Sequence, residues 1–385
     1  MDKTAVLSGR TMNIKLFSFF SGLGFLDLGF EDEGLKIVYV NELYKPFLSA
    51  YKHTRQHLAI EAPDFGYCDR SITELLNGRD RGYLSDSVAD CRRSGALVGF
   101  IGGPPCPDFS VGGKNKGQEG SGGRLSQIYA DLICTIKPDF FLFENVKGLW
   151  RTSRHRVFYE GLKAVWRSNG YALTDRLINT IEYGTPQDRE RIILFGVSSS
   201  LLSSLFHEGY ERTEEVLQEL FIWDSYSTYP NREAFRYSWP RTSKFEEDSF
   251  LPQPHNIPVE LTVEYWFRKN DVASHPNSIH FFRPKAGLKR FLTIDEGDDS
   301  KKSYKRLHRW RYSPTAAYGN NEVHLHPYKA RRLSVAEVLA IQSLPKAFEL
   351  PLDMTLTDMF KGAGNGVPFL AAKMLARTIK EVLVQ

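Results

Sequence analysis

The sequence predicts an α/β fold, a doubly wound and mainly parallel sheet, with a smaller irregular, β-containing region inserted late in the chain. Three observations carry this. Short apolar runs alternate with helical patterns through the first 197 residues. Those runs end in glycine, proline or acidic residues, and after Val197 the rhythm stops until Ser334. Strands alternating with helices require crossover connections, which build parallel sheets covered on both faces.

Taken in order, Lys15–Phe20 reads as a buried strand and Phe25–Asp32 as the helix after it. Ile37–Val40, Leu97–Ile101 and Phe140–Phe143 read as further strands, and Leu125–Ile136 (LSQIYADLICTI) places apolar residues at helical spacing. Arg191–Val197 (RIILFGV) closes the region as another strand. Ser198–Ser204 is serine-rich, and Glu208–Asp224 carries six acidic residues against one arginine on helical spacing. From Tyr226 to about Pro327 aromatics, prolines and short β-like runs follow without a βαβ rhythm. Helical pattern returns over Ser334–Gln385.

Composition bounds the function. The chain has 385 residues, 42% hydrophobic and 25% charged, enough for about two domains with real cores. No run of about eighteen apolar residues is present, so no membrane-spanning helix is expected. Met1–Asn13 is polar and lacks an apolar signal core, which points to an intracellular protein. The four cysteines (Cys68, Cys91, Cys106, Cys134) include no CxxC pair, so neither a disulfide framework nor a structural zinc is expected. With a net charge of only +4, affinity for a polyanion must come from local patches.

Four segments carry chemistry. In KLFSFFSGLGFLDLGFE (15–31) a strand runs into Ser21-Gly22-Leu23-Gly24 and then a helix. Such a turn lies at the carboxyl end of a strand, where the backbone can approach a nucleotide-like ligand. Asn41-Glu42 ends the next strand, with Glu42 placed to bond ribose hydroxyls; a tight turn beside a surface glutamate is the plainer reading. In LVGFIGGPPCPDFS (97–110), glycines and prolines carry the chain off a strand and set Cys106 on a rigid corner. There it can act as a nucleophile, although most lone cysteines are small core residues. The loop after it, VGGKNKGQEGSGG (111–123), carries Lys114 and Lys116 and leads to Arg124, cations suited to a phosphate backbone or merely to solvent.

In FFLFENVKGL (140–149) an apolar strand ends in Glu144-Asn145. A carboxyl at a dry strand end has a raised pKa and can donate a proton. In GTPQDRERIILFGV (184–197), alternation puts Arg189 and Arg191 on one side of a strand, able to hold a carbonyl oxygen or a phosphate; a salt-bridged surface strand is the alternative. KGAGNGVPFLAAKMLA (361–376) reads as a glycine-rich turn opening a helix.

Together these blocks resemble the cytosine-5 DNA methyltransferase family of bacterial restriction–modification systems. FSGLGF looks like its cofactor loop, GGPPCPDFS its nucleophile loop, ENV (Glu144–Val146) its acid motif and QDRER its arginine motif. RRLSVAEVLAIQSLP (331–345) and GNGVP (364–368) resemble its two C-terminal motifs. The likeness covers about 1–197 and 313–385. It implies a Rossmann-like catalytic domain over 1–197, a target-recognition domain over 198–327 and a C-terminal return to the catalytic domain over 328–385. The chain departs from the family pattern at Phe25, where a second glycine is usual, and at Pro107, where glutamine is usual. The segment Cys68–Ile72 matches only loosely.

The resemblance implies S-adenosylmethionine as cofactor and S-adenosylhomocysteine as product, with no metal. Phe20, Ser21, Gly22, Leu23 and Gly24 would form the cofactor loop. Glu42 would take the ribose and Leu43 the adenine; Asp69 or Ser71 would bond the adenine, with Ile72 packing on it and Pro105, Leu125 and Asn365 nearby. Double-stranded DNA would be gripped through Ser110, Lys114, Lys116 and Arg124. SPTAAYGNN (313–321) would place Thr315 by the backbone of a flipped nucleotide. Cys106 would attack ring carbon 6, Glu144 bond ring nitrogen 3, Arg191 hold the ring carbonyl and Arg189 support the nucleophile. The implied setting is a bacterial cytoplasm, associated with the nucleoid through DNA. The implied protein is a monomer with no membrane partner and a functional link to a restriction endonuclease.

Residues 198–330 carry eighteen Lys/Arg and eighteen Asp/Glu, unevenly spread: 283–311 holds ten basic residues against four acidic. Interleaved with Phe282, Tyr304, Trp310 and Tyr312, those cations suit phosphate contact and base reading; a solvated charge run is the alternative for 298–311. His324-x-His326 reads as a loop feature. Three rivals remain. The tRNA-methylating branch of the same family carries a Cys-Phe-Thr signature that is missing here. A silent DNA-binding protein has no need to keep Cys106, Glu144, Arg189 and Arg191. A nicotinamide-dependent dehydrogenase leaves PPC, ENV and QDRER unexplained.

Overall fold

A computed structural model describes residues 13–105, 121–206, 212–284, 288–301, 303–315 and 324–384. Its centre is a seven-stranded sheet built from β1 (Ile14–Phe19), β2 (Lys36–Asn41), β3 (Tyr67–Cys68), β4 (Leu97–Gly102), β5 (Phe140–Val146), β6 (Tyr171–Asn179) and β8 (Glu190–Ser198), in the order β3-β2-β1-β4-β5-β8-β6. Only β8 runs against its neighbours. Helices α1 (Phe25–Asp32), α2 (Lys45–His57), α3 (Gly78–Arg93), α4 (Ser121–Ile136), α5 (Lys147–Arg151) and α6 (Ser153–Ser168) connect the strands. The strand, helix and sheet expectations for the first 197 residues are met, with the first strand shifted by one residue and the others extended by one to three.

Alternation along the strands sorts two cores. Phe17, Phe19, Phe100, Phe141 and Phe143 face α3, α4 and α6 on one side. Leu16, Ile101, Phe140, Leu142 and Ile193 face the other, which the C-terminal helix α13 (Phe369–Val384) covers together with α1. The run FFLF is apolar at every position because β5 is buried on both faces. Helices α1 and α13 approach backbone to backbone, since a Cβ on Gly29 would lie 2.6 Å from that of Ala372.

The first-region packing continues past the boundary expected at 198. Helices α7 (Ser199–Phe206) and α8 (Thr213–Leu220) cover the sheet through Leu202, Leu217 and Phe221, and the Trp223 indole donates to Thr174 Oγ1 at 3.1 Å. Among the described residues beyond that point, regular structure is sparse. It comprises α9 (Val263–Lys269), α10 (Leu288–Thr293) and the two-residue strands β9 (Lys305–Arg306), β10 (Ser313–Pro314) and β11 (His324–Leu325). Strand β10 pairs with β7 (Gln187–Asp188), and β11 with β9. Helix α11 (Val335–Ile341) starts on a capping box in which Ser334 and Glu337 satisfy each other's backbone N–H. With α12 (Leu356–Asn365) it packs on α1 and α2 in a third apolar cluster.

Candidate active site

Register alone lines up the motifs. Phe19 pairs with Asn41 on one side and with Gly102 on the other, so the loop after β1 emerges between Glu42 and Gly103. Gly102 pairs with Phe143, which puts Glu144 next to Gly103. On β8, Arg191 lies opposite Val146 and diagonal to Glu144, on the same face. The switch in strand order falls between β1 and β4, where such sheets open a crevice at their carboxyl edge.

At the cofactor end, Phe20, Gly22 and Gly24 all have positive φ (54°, 56° and 79°). No atom lies within 4 Å of where a Gly22 Cβ would be, while a Gly24 Cβ would come within 2.5 Å of the Tyr51 ring. Glu42 fixes the loop, accepting the Gly22 N–H at 2.9 Å through Oε2 and the Tyr44 N–H at 2.8 Å through Oε1. Burial raises its pKa and those two N–H groups oppose the rise. The Ser21 hydroxyl is buried without a partner, and Leu43 stands 60% exposed beside Glu42. An open glycine, an orphaned hydroxyl, a carboxylate with spare lone pairs and an exposed apolar side chain fit a nucleoside-bearing cofactor.

The other expected contacts are placed as follows. Asp69 forms an ion pair with exposed Lys45 at 3.5 Å, Ile72 is buried beside Leu75, and the Ser71 hydroxyl lies 3.3 Å from that of Thr73. Pro105 is exposed, Leu125 half-buried on α4, and Asn365 ends α12.

Beneath the loop lies a buried polar network that sequence reasoning missed. Arg55 donates to the Gly24 carbonyl at 2.8 Å, pairs with Glu31 at 2.9 Å and stacks on Tyr51. Asp27 accepts from Ser18 at 2.8 Å and from Tyr51 at 2.9 Å. Burial pushes Glu31 to about 7 and raises Asp27, against the pull of Arg55. The loop is thus held at both ends, by Glu42 at Gly22 and by Arg55 at Gly24. The i, i+4 pair Tyr51/Arg55 in α2 was the available signal.

The departure at Phe25 has a packing answer. Its ring lies edge-on to Phe348 at 5.2 Å and fills the space where a Gly366 Cβ would stand, 2.2 Å away. Leu23 occupies the corresponding space at Gly362. Residues 361–365 are the end of α12, not a turn opening a helix; Gly362 within it receives Leu23 and Gly366 just beyond it receives Phe25.

At the other end, Glu144 is buried and held by Arg191, whose Nε lies 3.0 Å from Oε1. Burial raises the Glu144 pKa, opposed first by Arg191 and then by Arg189, and the same burial lowers that of Arg191. Arg189, fully buried, donates from Nη2 to the Gly364 carbonyl at 2.8 Å, tying QDRER to GNGVP. Asn145 donates to the Pro104 carbonyl at 3.5 Å, linking ENV to the PPC corner. Thr315 donates to the Asp188 carbonyl, which fastens the start of SPTAAYGNN to the arginine motif. Arg124 is exposed on α4; Cys106, Ser110, Lys114 and Lys116 lie outside the described residues.

Gly103 was not singled out from sequence, yet a Cβ there would stand 2.6 Å from Glu144 Oε2. A flexible carboxylate will yield before the strand does. Gly103→Ala is expected to lower kcat by about 10- to 100-fold with a small change in Tm, because displacing a reacting group by about 1 Å has that scale of effect. Steady-state kinetics beside a melting curve check it; an unchanged kcat would show that the Glu144 position is not critical.

Two expectations are corrected. Within 283–311 two of the ten cations, Arg306 and Arg309, are structural, as are the rings of Trp310 and the flanking Phe282 and Tyr312, while Arg283, Lys289, Arg290 and Lys301 are exposed. Arg306 is buried under four backbone carbonyls, Arg309 pairs with Glu296 at 2.8 Å, and Trp310 is buried with its indole on the Leu251 carbonyl. Tyr312 packs on Phe235 and Trp239, and Phe282 on Phe360. His324 and His326 are not a loop feature: both are fully buried, on and beside β11, and burial pushes each to about 3. Among the described residues no group of three or more His, Cys, Asp or Glu is placed to hold a metal.

A doubly wound sheet with a glycine loop fastened by Glu42 at one end of its crevice, and a buried Glu–Arg pair beside the Pro104-Pro105 corner at the other, fits a Rossmann-like methyltransferase. The family model for C-5 cytosine-specific DNA methylases matches residues 14–381. The chain is 56% identical to the type II methyltransferase M.NmeDI of Neisseria meningitidis serogroup C, over 96% of this chain and 84% of that one. It is 28% identical to the type II methyltransferase M.FnuDI of Fusobacterium nucleatum, over 96% and 95%. In fold it is similar to a prophage-encoded protein of E. coli described as a DNA modification methyltransferase (TM-score 0.63, 19% identity, 97% and 100% covered). It is also similar to DNMT2 of Spodoptera frugiperda (TM-score 0.54, 15% identity, 96% and 99% covered). The chain belongs to the C-5 cytosine-specific DNA methylase family and is a DNA (cytosine-5)-methyltransferase.

Proposed function

We propose that this enzyme transfers a methyl group from S-adenosylmethionine to carbon 5 of a cytosine flipped out of a short specific duplex sequence, as the modification partner of a restriction endonuclease. The observation that carries this reading is the shared edge: Glu42, the cofactor loop, Gly103, Glu144 and Arg191 follow from one strand register.

Ser21, Gly22, Leu43 and Glu42 would hold the cofactor, which supplies an activated methyl group when bound. Cytosine inside a stacked duplex exposes neither face of its ring, so it must leave the stack. Its carbon 5 is a poor nucleophile until the Cys106 thiolate adds at carbon 6 and makes it electron-rich. Charge then builds toward ring nitrogen 3, where Glu144, whose pKa burial raises against the pull of Arg191 and Arg189, would donate a hydrogen bond in its protonated form. Arg191 orients that carboxyl through Oε1 and leaves Oε2, on the Gly103 side, for the base. After carbon 5 takes the methyl group, loss of its proton expels the cysteine. Gly103, Pro104 and Pro105 connect β4 to Cys106, a reach of at most about 11 Å from Gly103, which keeps the sulfur within range of a ring bound at Glu144.

Expression in a methylation-free host, with bisulfite sequencing of its DNA, tests the reading. Methylated cytosine at one short recurrent sequence is the expected result. Unmethylated DNA from cells rich in the folded protein would overturn it.

A further inference from the structure

The segment that follows the Glu144 strand, Lys147–Arg156 (KGLWRTSRHR), holds four Lys/Arg and no acid, and its cations have no assigned role. In the fold its start converges with the inserted region on a single carboxylate. Glu190 takes Lys147 at 3.2 Å, Arg151 at 2.6 Å and Arg232 at 3.5 Å. The three cations are 43%, 54% and 58% exposed while Glu190 is nearly covered. An open recess of about 370 Å³ lies beside Arg151, Arg232 and Glu190, with Arg176 and Glu182 also on its wall.

Three cations on one carboxylate leave a local surplus of positive charge. Two guanidinium forks and an ammonium also present far more N–H donors than one carboxylate can accept. Arg232 is set there at a conformational cost: Asn231 and Arg232 are consecutive left-handed residues (φ 54° and 60°), clipped by the Arg232 N–H on Glu182 at 3.0 Å. Left-handed backbone at an arginine is uncommon and persists where the surroundings enforce it. The neighbouring carboxylates do not balance the site. Glu182 is committed to the backbone N–H groups of Asn179 and Arg232, and Asp224 pairs with Arg176 at 2.8 Å.

Position identifies the anion. Lys147 lies three residues beyond Glu144, and Glu190 adjoins Arg191 on the opposite face of β8. A polynucleotide with one base seated at Glu144 must lead its backbone over this edge. We propose that Lys147, Arg151 and Arg232 form a phosphodiester-binding surface that grips the DNA backbone flanking the target nucleotide, with Glu190 spacing the three cations. The proposal rests on the DNA-methylating reading above.

The test uses the full chain and a mixed-sequence duplex of about 30 base pairs, with binding followed between about 50 and 200 mM salt. Removing one cation from a phosphate lowers the slope of log K against log salt by about 0.9, so Arg151→Gln/Arg232→Gln should lower it by about 2. Glu190→Gln, which removes the negative charge, should raise affinity at low salt. A merely structural network predicts losses of the same sign in all variants. Unchanged S-adenosylmethionine affinity shows that the variants are folded; a variant that loses it is replaced by the corresponding Arg→Lys exchange, which keeps charge and should restore the slope. Equal slopes in native and double-variant protein would overturn the surface alone, as would inorganic phosphate stabilising the native protein but not the double variant while slopes stay equal. No salt-dependent binding by the native protein would remove both the surface and the reading beneath it.

Discussion

Cys106→Ser is expected to lower methyl transfer by at least about four orders of magnitude while leaving S-adenosylmethionine affinity nearly unchanged. The two halves of that statement come from different parts of the sheet. The cofactor loop is built by β1, β2 and the Arg55 network, and Glu42 and Arg55 fix it without help from the PPC corner. Under the proposed mechanism the nucleophile, Cys106, comes from the chain leaving β4. A thiol releases its proton near neutral pH, whereas a serine hydroxyl needs a general base. The carboxyl lying against Gly103 is Glu144, one oxygen of which is already committed to Arg191, so it is not free to serve as that base. A duplex carrying fluorine at carbon 5 of the target cytosine gives a second readout. The adduct it forms has no carbon-5 proton to lose, so the native enzyme should remain bound through denaturation and the serine variant should not. Transfer within about tenfold of the native rate in the serine variant would eliminate the covalent route.

Most of the sheet was legible because β1, β2, β4, β5 and β8 are each built round a dense apolar run, as burial on two faces requires. Strand β6 was not legible. It is an edge strand with Thr174, Asp175 and Arg176 at its middle, and their partners (Tyr159, Lys163, Trp223 and Asp224) come from segments remote in sequence. The candidate site was readable wherever a motif ends a strand, since register then decides which residues meet. Gly103, although inside a motif that ends a strand, and Arg55, on a helix, matter through what they touch: the Glu144 carboxyl and the Gly24 carbonyl. Within 283–311, Arg306 and Arg309 could not be told from the exposed cations around them for a related reason. Basic and aromatic side chains look alike in sequence whether they face DNA or hold a core with little regular structure, and the buried carbonyls of Phe291, Ile294, His326 and Lys329 were what Arg306 served.

Glu144→Gln is expected to lower kcat by about 10²- to 10⁴-fold, with cofactor affinity preserved. Glutamine keeps the size of the side chain and can donate an N–H to ring nitrogen 3, so the base can still be held. It cannot supply a proton as charge develops there. The direction of the pH effect follows from burial. The Glu144 pKa lies above the ordinary carboxylate value of 4.5, so the donor form persists to higher pH than for an exposed glutamate and is lost as pH rises through that shifted value. The native enzyme should therefore lose kcat on the alkaline side with a slope of one proton, and the glutamine variant should lack that limb. Arg191 sets a limit on how far the shift can go, because its guanidinium at 3.0 Å favours the charged carboxylate. Arg191→Lys, which keeps charge but gives up the planar fork, should leave a measurable alkaline limb at a displaced pH and a lower kcat. A single-turnover pH profile of the three proteins decides the matter. An alkaline limb of native shape in Glu144→Gln would assign the titration to another group, and a kcat within about threefold of native would remove Glu144 as the proton donor.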